Sequence, residues 1–259
     1  MIFYLPDIFI FVLGLAIGSF LNVCILRIPE EKKIEGRSGC PKCGYEIKFY
    51  DNIPVFSWLF LGGKCRNCKN PISKIYPFGE LLTGILFLVV YQKYGLVLRL
   101  PEALVFTSIL VVVSVIDFRH KIIPNVVLLV GVVLVFVSRV SLGVVNGNVL
   151  DEILSFVIGG GIGIGIITFH FLLFWIVTRK SGFGMGDFKL MFLLGAFLGA
   201  FKAIILFFLA SFLGVILFLI FKSIEKEKVN QFAFGPALCL SAYIFIFIES
   251  SEIVNFLKF

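Results

Sequence analysis

The chain has 259 residues, 59% of them hydrophobic and 15% charged, with 32 Phe. Average soluble domains are about 45–50% apolar and about 25% charged, so this apolar excess exceeds what one aqueous core can bury and calls for a bilayer as solvent. The net charge of +7 does not indicate nucleic acid, because the basic residues collect in loops between apolar runs, the pattern of positive-inside topology.

A membrane span needs about 20 apolar residues. The first apolar run is 8–26. No Lys or Arg precedes it in 1–6, so it reads as a retained span and not as a cleaved signal. A polar stretch, 27–76, follows. Further apolar segments are expected at 77–91, 101–116, 122–138, 152–177, 188–201, 203–221 and 232–248, the sixth and seventh parted only by Lys202. The predicted fold class is an all-α polytopic membrane protein with about eight transmembrane segments, carrying a small cytoplasmic module between the first and second spans. The domains expected are 1–26 as first span, 27–76 as the module and 77–259 as the main transmembrane domain. Arg27, Lys32, Lys33, Arg37, Lys42, Lys48, Lys64, Arg66, Lys69 and Lys74 fall in the long loop; Arg119, Lys121, Arg179, Lys180, Lys222, Lys226 and Lys228 fall in alternate later loops. Lys93, Arg99, Arg139, Lys202 and Lys258 are left for the other side. That asymmetry puts the long loop in the cytoplasm and both termini outside it. Gly159, Gly160, Gly161, Gly163 and Gly165 give the fifth segment a small-residue face suited to close helix packing.

Cys40-Pro41-Lys42-Cys43 and Cys65-Arg66-Asn67-Cys68 are the most specific motifs. Two Cys-x-x-Cys pairs at this separation match a four-thiolate zinc site. Cytosol is reducing, which favours metal over disulfide. Four cysteines close the coordination shell, so the zinc would be structural, folding a loop too small to hold a core of its own. Cys24 and Cys239 lie in apolar runs and read as buried small hydrophobes.

Ionisable residues in or beside spans are functional candidates by default. Asp117 ends the third apolar run, and Asp187 follows Gly182, Gly184 and Gly186. The topology places both at the cytoplasmic membrane face. Facing carboxyls share a proton, so one can take a proton from water while the other donates one. The glycines beside Asp187 would admit a substrate backbone. Two plainer readings stay open: Asp187 as an N-cap, and Asp117 as a solvated charge paired with Arg119 or Lys121. Glu80, just inside the second span, could pair with a loop cation or reach a polar ligand. Asp51 reads as a turn residue, and His170 as a buried, hydrogen-bonded histidine.

These residues give the chain a strong resemblance to the prepilin peptidases, the leader peptidase/N-methyltransferases of type IV pilus and type II secretion systems. The resemblance runs through Gly18-Ser19-Phe20-Leu21-Asn22-Val23, Arg27, Pro29, the two cysteine pairs, Asp51-Asn52-Ile53-Pro54, Ser57-Trp58-Leu59, Gly63-Lys64, Pro71-Ile72-Ser73, Tyr76-Pro77, Glu80, both aspartate blocks and Phe234-Gly235-Pro236. It implies an intramembrane aspartic protease of the Gly-x-Gly-Asp type, here Gly184-Met185-Gly186-Asp187, with Asp117 and Asp187 catalytic and 77–259 as the protease domain. It implies a zinc-binding module held by Cys40, Cys43, Cys65 and Cys68. It further implies a prepilin or pseudopilin substrate cut at the cytoplasmic face of a bacterial inner membrane, and methylation of the new N-terminus from S-adenosylmethionine, with Gly63, Lys64 and Glu80 as candidate cofactor residues. The family often has Asp where Asn125 stands, a position expected to cap the next helix. Two rival readings are a peptidase without methyltransferase activity and a non-enzymatic zinc-clamped scaffold.

Overall fold

Helices form along the apolar runs, and Gly95, Gly147 and Gly199 end three of them. The computed structural model describes residues 5–179, 184–224 and 233–248. Among these the regular elements are α1 (Leu5–Arg27), α2 (Phe56–Phe60), α3 (Ile75–Tyr94), α4 (Leu100–His120), α5 (Asn125–Asn146), α6 (Val149–Thr178), α7 (Met185–Leu198), α8 (Ala200–Ile224) and α9 (Gly235–Phe247), with a 3-10 turn at Phe49–Asn52. Six of them (α1, α3, α4, α5, α6 and α8) are long and apolar enough to cross a membrane. The protein is thus an all-α polytopic membrane protein with a four-cysteine cluster between its first two long helices. Helices α7 and α9 have 14 and 13 residues, which reach about 20 Å and fall short of a hydrocarbon core about 30 Å thick. Lys180, Gly182, Lys226, Lys228, Phe232 and Lys258 lie outside the described residues.

Three expectations are corrected. The break between the sixth and seventh segments falls at Gly199, not at Lys202. Gly199 takes φ 88, a conformation open to glycine, while Lys202 sits within α8 and donates to the Phe245 carbonyl of α9 at 3.4 Å. Arg139 is no loop charge. It lies in α5 with its side chain 13% exposed, donates to Glu152 Oε2 at 2.9 Å and to the Phe197 carbonyl at 2.5 Å, and stands 4.0 Å from Glu102 Oε1. A cation buried among carboxylates and a helix C-terminal carbonyl is compensated where it could not be hydrated. Asn125 opens α5 without capping it, since Pro124 holds the N-cap position.

The chain divides into two compact units, Met1–Leu100 and Pro101–Phe259. In the first, α1 packs along α3 through small residues. A Cβ on Gly14 would lie 2.7 Å from the Gly84 Cα, and one on Gly18 would lie 2.8 Å from the Glu80 Cα, so the two backbones approach as closely as small-residue packing permits. The Asn22 side-chain amide donates to the Tyr76 carbonyl at 3.0 Å.

In the second unit, α4 and α7 form the interior. Phe106, Val113 and Ile116 of α4 and Leu190, Met191, Leu193, Leu194 and Ala196 of α7 are wholly buried, and Phe106 stacks on Phe197 at 3.7 Å between ring centroids. Helix α6 lies against α7. Added Cβ atoms on Gly159 and Gly163 would strike the Gly195 and Met191 carbonyls, and one on Gly160 would strike the Phe192 ring. Gly161 and Gly165 meet nothing within 4 Å, so only three of the five glycines serve that contact. The helices that carry Asp117 and Asp187, together with α9, are the most deeply buried of this unit.

Candidate active site and metal centre

Each cysteine pair is built on the same turn. The Cys40 N–H donates to the Tyr45 carbonyl and the Gly44 N–H to the Cys40 carbonyl, both at 2.9 Å. In the second arm Cys65 N–H donates to the Asn70 carbonyl at 2.8 Å and Lys69 N–H to the Cys65 carbonyl at 3.0 Å. Gly44 and Lys69 fill the same left-handed position, with φ 70 and φ 60. The turns bring the four Sγ atoms within 4.8 Å of one another, and Cys40 Sγ and Cys68 Sγ are 3.7 Å apart. Thiolates about 2.3 Å from one tetrahedral ion stand about 3.8 Å from each other, so the cluster fits a single metal ion. Backbone amides of Lys42 and Cys43 draw the Cys40 thiol below its ordinary range. The amide and side chain of Asn70 take Cys68 down to about 6. Both effects favour the thiolate that a metal requires. The side-chain amides of Asn67 and Asn70 donate to Cys43 Sγ at 3.8 Å and Cys68 Sγ at 3.4 Å.

Asp51, expected in a turn, sits in the 3-10 turn with its side chain 6% exposed. It accepts a two-pronged bond from Arg66, at 2.8 and 2.6 Å, and that guanidinium holds its carboxyl below the ordinary range. Gly63 is buried with φ 68, and a Cβ there would lie 2.8 Å from the Trp58 ring. Lys64 is exposed beside it. Glu80 is buried, and its Oε2 accepts the Val55 N–H at 2.7 Å. Val55 has φ 62, rare for a β-branched residue, and the Glu80 bond helps to hold it there.

Asp117 lies in the last turn of α4 and is 5% exposed. It is not a solvated loop charge: its Oδ2 accepts the Gly235 N–H from the start of α9 at 2.9 Å. Asp187 is 8% exposed at the third position of α7, where its Oδ2 accepts the Gly184 N–H at 2.9 Å. The capping role considered for Asp187 is therefore real, but it is exerted from the third helical position, where its carboxyl accepts the amide of the N-cap residue Gly184. The structure brings the two carboxyls within electrostatic reach of each other. Between them the chain is tied by Gly186, whose added Cβ would lie 2.8 Å from Ile123, and by Lys189, whose ammonium donates to Asn125 Oδ1 at 2.7 Å.

The family profile described as "Bacterial Peptidase A24 N-terminal domain" matches residues 12–94, and "Type IV leader peptidase family" matches residues 104–219. Proteins named prepilin leader peptidase/N-methyltransferase are similar across the chain. That of Neisseria gonorrhoeae is 33% identical, covering 90% of this chain and 87% of the relative. That of Pseudomonas aeruginosa is 34% identical with the same coverage. A Myxococcus xanthus protein of that name is 39% identical over 74% of this chain but only 56% of its own length. The chain belongs to the prepilin leader peptidase family.

No solved structure matches it. With its six apolar helices, this family member is a multi-pass inner-membrane protein. In this prepilin leader peptidase family member, both aspartates are surrounded by groups remote from them in sequence. Gly235 supplies an amide to Asp117, and a Cβ there would lie 2.6 Å from Oδ2. Cys239, one turn further along α9, is 3% exposed and lies within electrostatic reach of both aspartates. The glycine before Pro236, the first proline of α9, was the available signal. His170 bonds the Ile166 carbonyl through Nδ1 at 2.9 Å among Phe207 and Phe208.

Proposed function

We propose that this chain is an aspartic endopeptidase that removes the basic leader of type IV prepilins or pseudopilins and N-methylates the new N-terminus. The reading rests on one observation above others: two buried carboxyls, each anchored through Oδ2 to a glycine amide, with Asp187 in the field of Asp117. One carboxylate takes a proton from a water molecule as that water attacks the scissile carbonyl carbon. The other, protonated, donates to the carbonyl oxygen. The tetrahedral species collapses as a proton passes to the leaving nitrogen. The pair acts as a unit, and neither member is assigned a fixed role. Gly184 and Gly186 are the candidates for meeting the substrate backbone at Asp187: Gly184 keeps a side chain clear of the carboxyl, and Gly186 lets its turn pack against Ile123. The basic leader would stay in the cytoplasm with the cysteine module, and both termini of the enzyme would lie on the opposite side.

The ion in the cysteine module would be zinc, the metal that four thiolates in tetrahedral array suit best. It would fold the loop and leave no coordination position open. S-adenosylmethionine would supply an activated methyl group. Glu80, Lys64 and Gly63 are the candidates for holding it. A carboxylate and an ammonium are opposite in sign to its sulfonium and carboxylate, and Glu80 and Gly63 brace one segment through Val55 and Trp58.

The deciding experiment incubates detergent-purified protein with a prepilin peptide. Asp117→Asn and Asp187→Asn should each lower leader cleavage by about 10²-fold or more, the scale of general acid–base catalysis, with expression unchanged. Either variant cleaving at the normal rate would refute the dyad. Mass spectrometry of the mature N-terminus reads the added methyl.

A further inference from the structure

Helix α2 is inside out for a water-facing element. Phe56, Leu59 and Phe60 stand at i, i+3 and i+4, one helix face, and are 52%, 60% and 86% exposed. Polar Ser57 is the buried residue: its hydroxyl donates to the Tyr50 carbonyl and accepts the Ile53 N–H, both at 2.9 Å. Those bonds join α2 to the preceding 3-10 turn, where Phe49 is 87% exposed, and to Ile53 just after it, 51% exposed.

The depth of α2 says what covers that display. Its N-cap residue, Val55, bonds Glu80, in the second turn of α3, a helix long and apolar enough to cross a membrane. Glu80 lies about 7 Å along α3 from its start and opposite Gly18, well inside α1. The start of α2 is therefore tied level with the second turn of α3 and, across from it, with the interior of α1, two membrane-crossing helices. A basic rim accompanies it: Lys48 and Arg66 lie over the Tyr50 ring at 5.8 and 5.6 Å. Apolar aromatics at headgroup depth with cations at the edge are the signature of an interfacial segment. We infer that the segment from Phe49 to Phe60 is a membrane-interface anchor, its aromatic face seated among the acyl chains and headgroups of an anionic leaflet.

The test uses full-length protein in nanodiscs of phosphatidylethanolamine and phosphatidylglycerol containing a diazirine-bearing phospholipid. After photolysis, trypsin releases 49–64 as one peptide, because Lys48 precedes it, Lys64 ends it and no Lys or Arg lies between them. The expectation is that 49–64 carries lipid adducts, as does the 122–139 peptide of α5. A double substitution, Leu59→Glu with Phe60→Glu, should lower labelling of 49–64 several-fold and leave 122–139 unchanged. Absence of adducts on wild-type 49–64 overturns the inference. So does loss of those adducts on adding a saturating prepilin peptide, which would make the face a substrate dock. Leader cleavage by the same samples, measured separately, reports on the dyad and not on this anchor.

Discussion

Gly235 stands 118 residues from Asp117 in sequence and 2.9 Å from it in space. Its missing side chain is what allows the approach, since a Cβ would lie 2.6 Å from the carboxyl oxygen. Gly235→Ala should therefore displace the Asp117 carboxyl while adding only a methyl group. A misplacement near 1 Å costs about 10²-fold in rate, so the expected outcome is a fall in kcat for leader cleavage with little change in KM. An unchanged kcat would show that Asp117 does not depend on that amide. A gentler effect is expected at Asn125. Asn125→Asp would turn its bond with Lys189 into an ion pair and should leave cleavage near normal, whereas Lys189→Met, which breaks the tie between α5 and the Asp187 helix, should slow it.

The α6–α7 contact shows how closely an element's chemistry follows its spacing. Gly159 and Gly163 lie four residues apart and face the α7 backbone, while Gly161 and Gly165, two residues off that register, meet nothing. A helix turns about 200° in two residues, so the apparent five-glycine stripe is two faces of one helix. Gly163→Ala must separate α6 from the buried helix that bears Asp187 and should cost about 1–3 kcal/mol by overpacking. Gly165→Ala should be neutral or stabilise α6 by roughly 0.5–1 kcal/mol. Thermal unfolding of the two variants in one detergent checks the contrast, and equal melting temperatures would contradict it. The same logic explains why α7, though short, is fixed in place: it is held by carbonyl contacts from α6, by the Phe106–Phe197 stack and by Arg139 at its C-terminal end.

At the scale of the whole molecule, the four-cysteine cluster lies in one compact unit and both aspartates in the other. Cys40→Ser should release the metal, open 27–76 to protease and abolish methylation, while leader cleavage by the aspartates persists. Loss of both activities together would show that the module also supports the dyad, and unchanged metal content would count against four-thiolate binding. Much of this organisation is legible in the order of residues alone. Continuous apolar runs of about 20 residues become helices in lipid, because a helix satisfies all of its backbone within the one segment, and paired thiols at two-residue spacing form their own turns locally. Both are properties of neighbours along the chain. What folding alone decided is who meets whom across distance: that Gly235 serves Asp117, that Arg139 is buried against two acids and a helix end, that Glu80 holds Val55, and that α2 turns its aromatics outward. Those pairings depend on how helices pack side by side, and helix packing is set by shape in three dimensions, which no periodicity of a single segment records.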